Sequence, residues 1–362
     1  MSASKIRVLR LAYVHYQHPD LQRAVDFLTD FGLEVAGRDN SKVYLRGYGI
    51  EPFLNIAEQS PDAERHYLGG AWVVDSASDL KRAAMLPGAT EIRDNDGPGG
   101  GKIVSVQDPN GMFVHFVHGQ VLREALTEDS MPGHETTSSV PNGALTKPRK
   151  GDVRRFTLGP SSVHKVGHYG FAVPKGKFEE TRNWYTRHMN LKPTDSSFNP
   201  VSGKDETCFL HIDLGPDYTD HHATNQSFFL SAVDGTATYC HHSSYEVNDF
   251  DEQTIGHHWL EKKGWTNCWG IGRHVLGSQI FDYWFDGSGN IVEHYVDGDL
   301  VNEDTPERRV PAGPDSLFVW GPDIPLAFVT AQLQDVGTQF AMPPDVSVGK
   351  PAKFKFDTAV KV

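Results

Sequence analysis

Two kinds of periodicity alternate along this chain, and they do so in a repeating order. Residues 9–35 (LRLAYVHYQHPDLQRAVDFLTDFGLEV) begin with strand-like alternation and continue with apolar positions Leu21, Ala24, Val25 and Leu28 at helical spacing. Asp20 is placed to cap that helix and Gly32 to end it. Residues 164–193 (HKVGHYGFAVPKGKFEETRNWYTRHMNLKP) repeat the design. There Phe178, Thr181, Tyr185 and His188 form the stripe, and Asn190 is expected in the left-handed end position. Residues 68–89 and 238–265 follow the same grammar, the latter with Gly264 as its stop.

Alternating segments with turn signals follow each helix, among them KIVSVQDPNGMFVHFVH and SQIFDYWFDGSGNIVEHYV. The pattern predicts an α+β protein of four βαβββ units, paired into two domains. The expected divisions are 1–133 for the first domain, 134–155 for a polar, turn-rich linker, 156–303 for the second domain and 304–362 for an extended, Pro-rich tail. One hairpin is written twice. DPNGMFVHFVHG (108–119) and DGSGNIVEHYVDG (286–298) each carry a polar residue seven positions after the first Asp, His115 in one and Glu293 in the other.

Composition narrows the function. A length of 362 residues and 38% hydrophobic content suit large globular cores. A net charge of −13 argues against a nucleic-acid partner, which requires a basic face. No apolar run reaches membrane-spanning length, and the first residues do not read as a secretion signal. Cys208, Cys240 and Cys268 are odd in number and form no metal-type pair, so reduced thiols and a cytoplasmic location are expected.

The chemistry concentrates in the second half. His168 in GHYGFAV and His242 in HHSSYEV each stand at the head of an expected first strand, and Glu293 lies in the last strand of the fourth unit. If the two units pair their sheets, all three face one cleft. Two imidazoles and a carboxylate on one face, with open positions opposite, suit non-haem Fe(II), and Mn(II) is compatible with the same donors. The corresponding first-half positions hold Tyr13 and His115, so that half is expected to be structural. His274, Tyr283 and Glu293 are spaced by nine and ten residues. A turn at DGSG would set Tyr283 and Glu293 on neighbouring strands, with an imidazole and a phenol beside the metal. His221 and His222 add a further imidazole near a strand start.

These segments resemble the type I extradiol ring-cleaving dioxygenases of the vicinal oxygen chelate superfamily, over roughly residues 8–300. The family's ligand motif matches at His168 and His242, and its closing motif matches His274, Tyr283 and Glu293 without a gap. Its remaining active-site histidine corresponds to His221 or His222. The resemblance implies a mononuclear Fe(II) site (Mn(II) remaining open) that cleaves a catechol beside its diol and places both atoms of O2 in the product. It assigns His221 or His222 to the oxygen side and His274 and Tyr283 to the substrate's hydroxyls. A homo-oligomer active in aromatic catabolism is also implied. A metal-dependent isomerase or transferase on the same scaffold, and a protein that only binds an aromatic ligand, are the alternatives.

Overall fold

The computed structural model describes residues 5–124, 141–151, 153, 156–216, 227–313 and 316–340. The first unit consists of β1 (Val8–His18), α1 (Leu21–Phe31), β2 (Glu34–Arg38), β3 (Lys42–Arg46) and β4 (Asn55–Gln59). The second consists of β5 (His66–Val74), α2 (Ala77–Ala83), β6 (Arg93–Asp94), β7 (Lys102–Gln107) and β8 (Phe113–His118). After the interdomain segment come β9 (Val163–Pro174), α3 (Phe178–His188), β10 (Leu191–Phe198), β11 (Asp205–Ile212) and β12 (Phe228–Val233). The fourth unit consists of β13 (Tyr239–Val247), α4 (Phe250–Lys263), β14 (Thr266–His274), β15 (Ile280–Phe285) and β16 (Ile291–Val296).

One pairing rule is used four times. Each unit's first strand lies parallel to its own last strand, as in β1 with β4 and β13 with β16. The first strands of paired units then join antiparallel at the sheet centre, β1 to β5 and β9 to β13. The result is an eight-stranded sheet in the first half and a ten-stranded sheet in the second. Asp20 caps α1 by accepting from the Arg23 amide, and Gly32 closes it at φ 117°. A Cβ on Gly32 would lie 1.8 Å from the Ser161 carbonyl oxygen, so this turn also packs against the second half.

The halves share a core and specific polar contacts. Trp72 Nε1 donates to Tyr169 Oη at 3.0 Å, and Asn55 Nδ2 to Tyr245 Oη at 2.8 Å. Tyr16 Oη donates to Ser243 Oγ at 3.1 Å. Phe31 stacks on His294 at 3.6 Å, and the ring bonds back to the Phe31 carbonyl.

Several local expectations change. Asn190 does not take the left-handed position; α3 ends at Met189 in extended geometry. The Asn190 side chain instead accepts from the Val8 amide at 2.7 Å and donates to the Val8 and Asp213 carbonyls. Tertiary bonding between the halves thus outweighs the local cap. His168 and His242 sit inside their strands rather than at the heads, because pairing between β9 and β13 extends back to Val163. The segment after residue 303 is not simply extended. It adds β17 (Arg308–Pro311) along β10, β18 (Phe318–Trp320) along β14, and the short helix α5 (Leu326–Thr330). Both edges of the larger sheet are covered in this way, which satisfies otherwise unpaired backbone groups. Elements this short, set among prolines, leave no readable periodicity.

Candidate metal centre

Strand register brings the three expected donors together. β13 lies between β9 and β16, and Ser244 is the partner of both His168 and Glu293. His242 is two residues earlier on β13 and therefore faces the same side. Ser244 is small, so the larger side chains on either side can converge over it. Gly170, opposite His242, leaves room for Phe229; a Cβ there would meet that ring at 2.2 Å. Phe229 in turn packs on the His242 imidazole at 4.6 Å.

The donor atoms form a tight triangle. His168 Nε2 lies 3.2 Å from His242 Nε2 and 3.2 Å from Glu293 Oε2, and His242 Nε2 lies 3.6 Å from that oxygen. Donors about 2.1 Å from one ion and at right angles to each other would be about 3 Å apart, so the triangle fits one face of an octahedron. Glu293 is fully buried, and among the described residues neither of its oxygens receives a well-aligned hydrogen bond. A buried carboxylate with few partners costs roughly several kcal/mol, which a bound cation would offset. Burial pushes the Glu293 carboxyl up, but the His168 imidazole beside it outweighs this and holds it below its usual range. Burial and the flanking histidines push His242 well below the ordinary imidazole value, so it stays neutral, as a ligand must.

His274 and Tyr283 stand beside the triangle. Tyr283 pairs directly with Glu293 across the β15–β16 ladder. His274 Nδ1 is 2.7 Å from the Leu317 carbonyl, which can only accept, so that nitrogen carries the proton. Its Nε2 is then a lone pair, and Tyr283 Oη donates to it at 2.9 Å. Burial, followed by the Glu293 charge, pushes the Tyr283 phenol well up and keeps it protonated.

A cavity of about 230 Å³ opens over these groups, with mainly apolar walls that include Phe209, Phe229, Leu276 and Phe328. His221 and His222 lie outside the described residues. Two contributors were not predicted from the sequence. Phe328, from α5, sits 4.8 Å from Tyr283 and 4.9 Å from His241. His241 has its Nδ1 2.9 Å from that of His242; the doubled His was visible in the sequence, but its shared face was not.

The first half shows what replaces the triangle there. Its corresponding row is Tyr13, Ala71 and His115, and Gly69 stands where His242 stands in the second half. A Cβ on Gly69 would lie 2.7 Å from His115 Nε2. His115 instead bonds Ser105 Oγ at 2.8 Å and the Leu68 carbonyl at 2.8 Å, and Tyr13, Tyr44 and Phe53 fill the concave face. Among the described residues, the only group of three or more donors that could hold a metal ion is His168, His242 and Glu293.

No family model matches the chain. It is 28% identical over 325 residues to metapyrocatechase 2 of Cupriavidus necator, covering 87% of this chain and 90% of that relative. Its fold is similar to homoprotocatechuate 2,3-dioxygenase of Brevibacterium fuscum, solved in an anaerobic complex with 3,4-dihydroxyphenylacetate. That likeness has a TM-score of 0.72 at 16% identity and covers 91% of this chain and 94% of the other. A Mn(II)-bound glyoxalase from Novosphingobium aromaticivorans gives 0.70 at 19%, covering 94% and 97%. The architecture is the two-domain vicinal oxygen chelate fold.

Proposed function

We infer that this protein is an extradiol dioxygenase that opens catechol rings with O2 at a mononuclear metal site. The observation that carries the reading is the His168–His242–Glu293 triangle, whose two imidazoles line an apolar cavity with a hydrogen-bonded imidazole–phenol pair on its wall. The relationship to a metapyrocatechase supports it.

His168, His242 and Glu293 would hold the metal. Fe(II) is the proposed ion, since two neutral imidazoles and one carboxylate leave a charge of about +1 for a catecholate monoanion to neutralise. Mn(II) suits the same donors. When bound, the ion supplies Lewis acidity toward the diol and open positions through which diol and O2 are electronically linked. On substrate binding, His274 Nε2 would exchange its Tyr283 partner for a substrate hydroxyl and take that proton, which frees the Tyr283 O–H to hydrogen-bond the resulting oxyanion. The apolar walls seat the ring and exclude water. His221 or His222 would serve the oxygen side. Residues 1–133 form the structural domain and 156–303 the catalytic one. Three unpaired cysteines suit a cytoplasmic protein, and the resemblance also implies a homo-oligomer.

Because the same fold is found in a glyoxalase, the discriminating experiment supplies both kinds of substrate. Fe(II)-loaded protein is given catechols with O2 in one series and a glutathione hemithioacetal without O2 in the other. Catechol-dependent O2 uptake, lost in Glu293→Ala together with bound metal, is expected. Isomerisation of the hemithioacetal with no catechol-dependent uptake would overturn the reading.

A further inference from the structure

We propose that His241 is the positioning residue for His242, holding that imidazole in the tautomer and orientation that metal ligation requires. The inference rests on the reading of His242 as a ligand.

Neighbouring residues of a strand ordinarily point to opposite faces. Here the register of β13 against β9 slips between Cys240 and His242. The slip turns the two rings toward each other, with centroids 5.1 Å apart and Nδ1 facing Nδ1 at 2.9 Å. A neutral imidazole has one N–H and one lone pair. His242 directs Nε2 toward the His168 nitrogen and the Glu293 oxygen, so ligation uses the Nε2 lone pair and leaves the proton on Nδ1. That N–H donates to His241 Nδ1, and the His241 proton then sits on Nε2. The main chain of Phe328 hydrogen-bonds the His241 ring, and the Phe328 side chain packs against it. A continuous path therefore runs from α5 through His241 to His242.

The arrangement is one-sided. His168 Nδ1 is buried and has no hydrogen-bonding partner among the described residues. Ring packing by Phe229 and Tyr295 holds His168, whereas His242 has a hydrogen bond at Nδ1 that also fixes its tautomer. Loss of an outer hydrogen bond of this kind weakens metal binding by about 10–100-fold.

The test is anaerobic chelator competition with Fe(II) and with Mn(II) on the full chain. It compares the parent with His241→Phe, His241→Asn and His242→Ala, and records thermal unfolding of each metal-free protein alongside. His241→Phe keeps ring packing but removes the acceptor, and should weaken binding by about 10–100-fold. His241→Asn, whose amide oxygen can take the place of Nδ1, should recover most of the loss, while the two metal-free variants unfold at similar temperatures. Parent-like affinity in His241→Phe would overturn the proposal. So would His241→Asn binding as weakly as His241→Phe, since packing alone would then explain the effect. His242→Ala separates the two layers: strong binding retained there would defeat the ligand assignment itself, and this inference with it.

Discussion

His115 offers a quantitative test of why one copy of the hairpin carries an imidazole where the other carries a carboxylate. It is almost wholly buried, bonded to Ser105 and to the Leu68 carbonyl, and burial pushes its pKa from 6.5 down to about 4. In the unfolded chain it titrates near 6.5, so as pH falls the unfolded state binds this proton first. Its neutral form is therefore fully compatible with folding above pH 6.5, and stability is lost as pH falls from there toward 4. The shift corresponds to about 3 kcal/mol in total, of which about 2 kcal/mol develops between pH 7 and pH 5. In His115→Gln the amide nitrogen can still donate to the Leu68 carbonyl, and the titration is gone. Urea unfolding of the metal-free parent and variant, followed by far-ultraviolet circular dichroism at pH 7, 6 and 5, measures the difference directly. The variant should gain about 2 kcal/mol relative to the parent across that interval, with metal content unchanged. Parallel pH dependences would refute the buried-neutral assignment, and a fall in bound metal would refute the structural role of the first half.

Three further outcomes are expected. Tyr283→Phe should retain metal and fold but lose the hydrogen bond at His274 Nε2, slowing turnover, whereas His274→Ala should slow it further, by roughly 10²–10⁴, the range of a positioned acid–base group; steady-state rates beside metal analysis check both. Replacing His221 and His222 singly by Ala should leave anaerobic catechol binding intact in both variants and slow oxygen consumption in one of them by roughly 10²–10⁴. Phe328→Ala removes a ring that lines the cavity beside Tyr283, so kcat/KM for a two-ring diol relative to a one-ring diol should rise roughly tenfold, as measured by direct competition.

The repeat architecture and the donor set were legible because both follow from period and spacing. Alternation, helical stripes and the Asp20, Gly32 and Gly264 signals delimit the four units, and strand alternation alone places His168 and Glu293 on one face once the units pair. Features decided by tertiary contacts were not legible. Asn190 resembles a helix stop, but its amide group serves the Val8 and Asp213 main chain. The strand slip that turns His241 toward His242 depends on pairing with Gly170 and Phe171 of β9, and no local pattern encodes it. Arg308–Pro311 and Phe318–Trp320 are edge strands and Leu326–Thr330 a helix of five residues, all too short for any periodicity to register.

Isotope incorporation tests the central claim most directly. Fe(II)-loaded protein, mixed anaerobically with one equivalent of catechol and then exposed to ¹⁸O2, should consume one O2 per ring and yield a ring-opened product carrying both labelled atoms, read by mass spectrometry with rapid quenching to limit exchange. An intact ring, or a product with label at one oxygen or none under that quench, would contradict extradiol cleavage at the His168–His242–Glu293 centre.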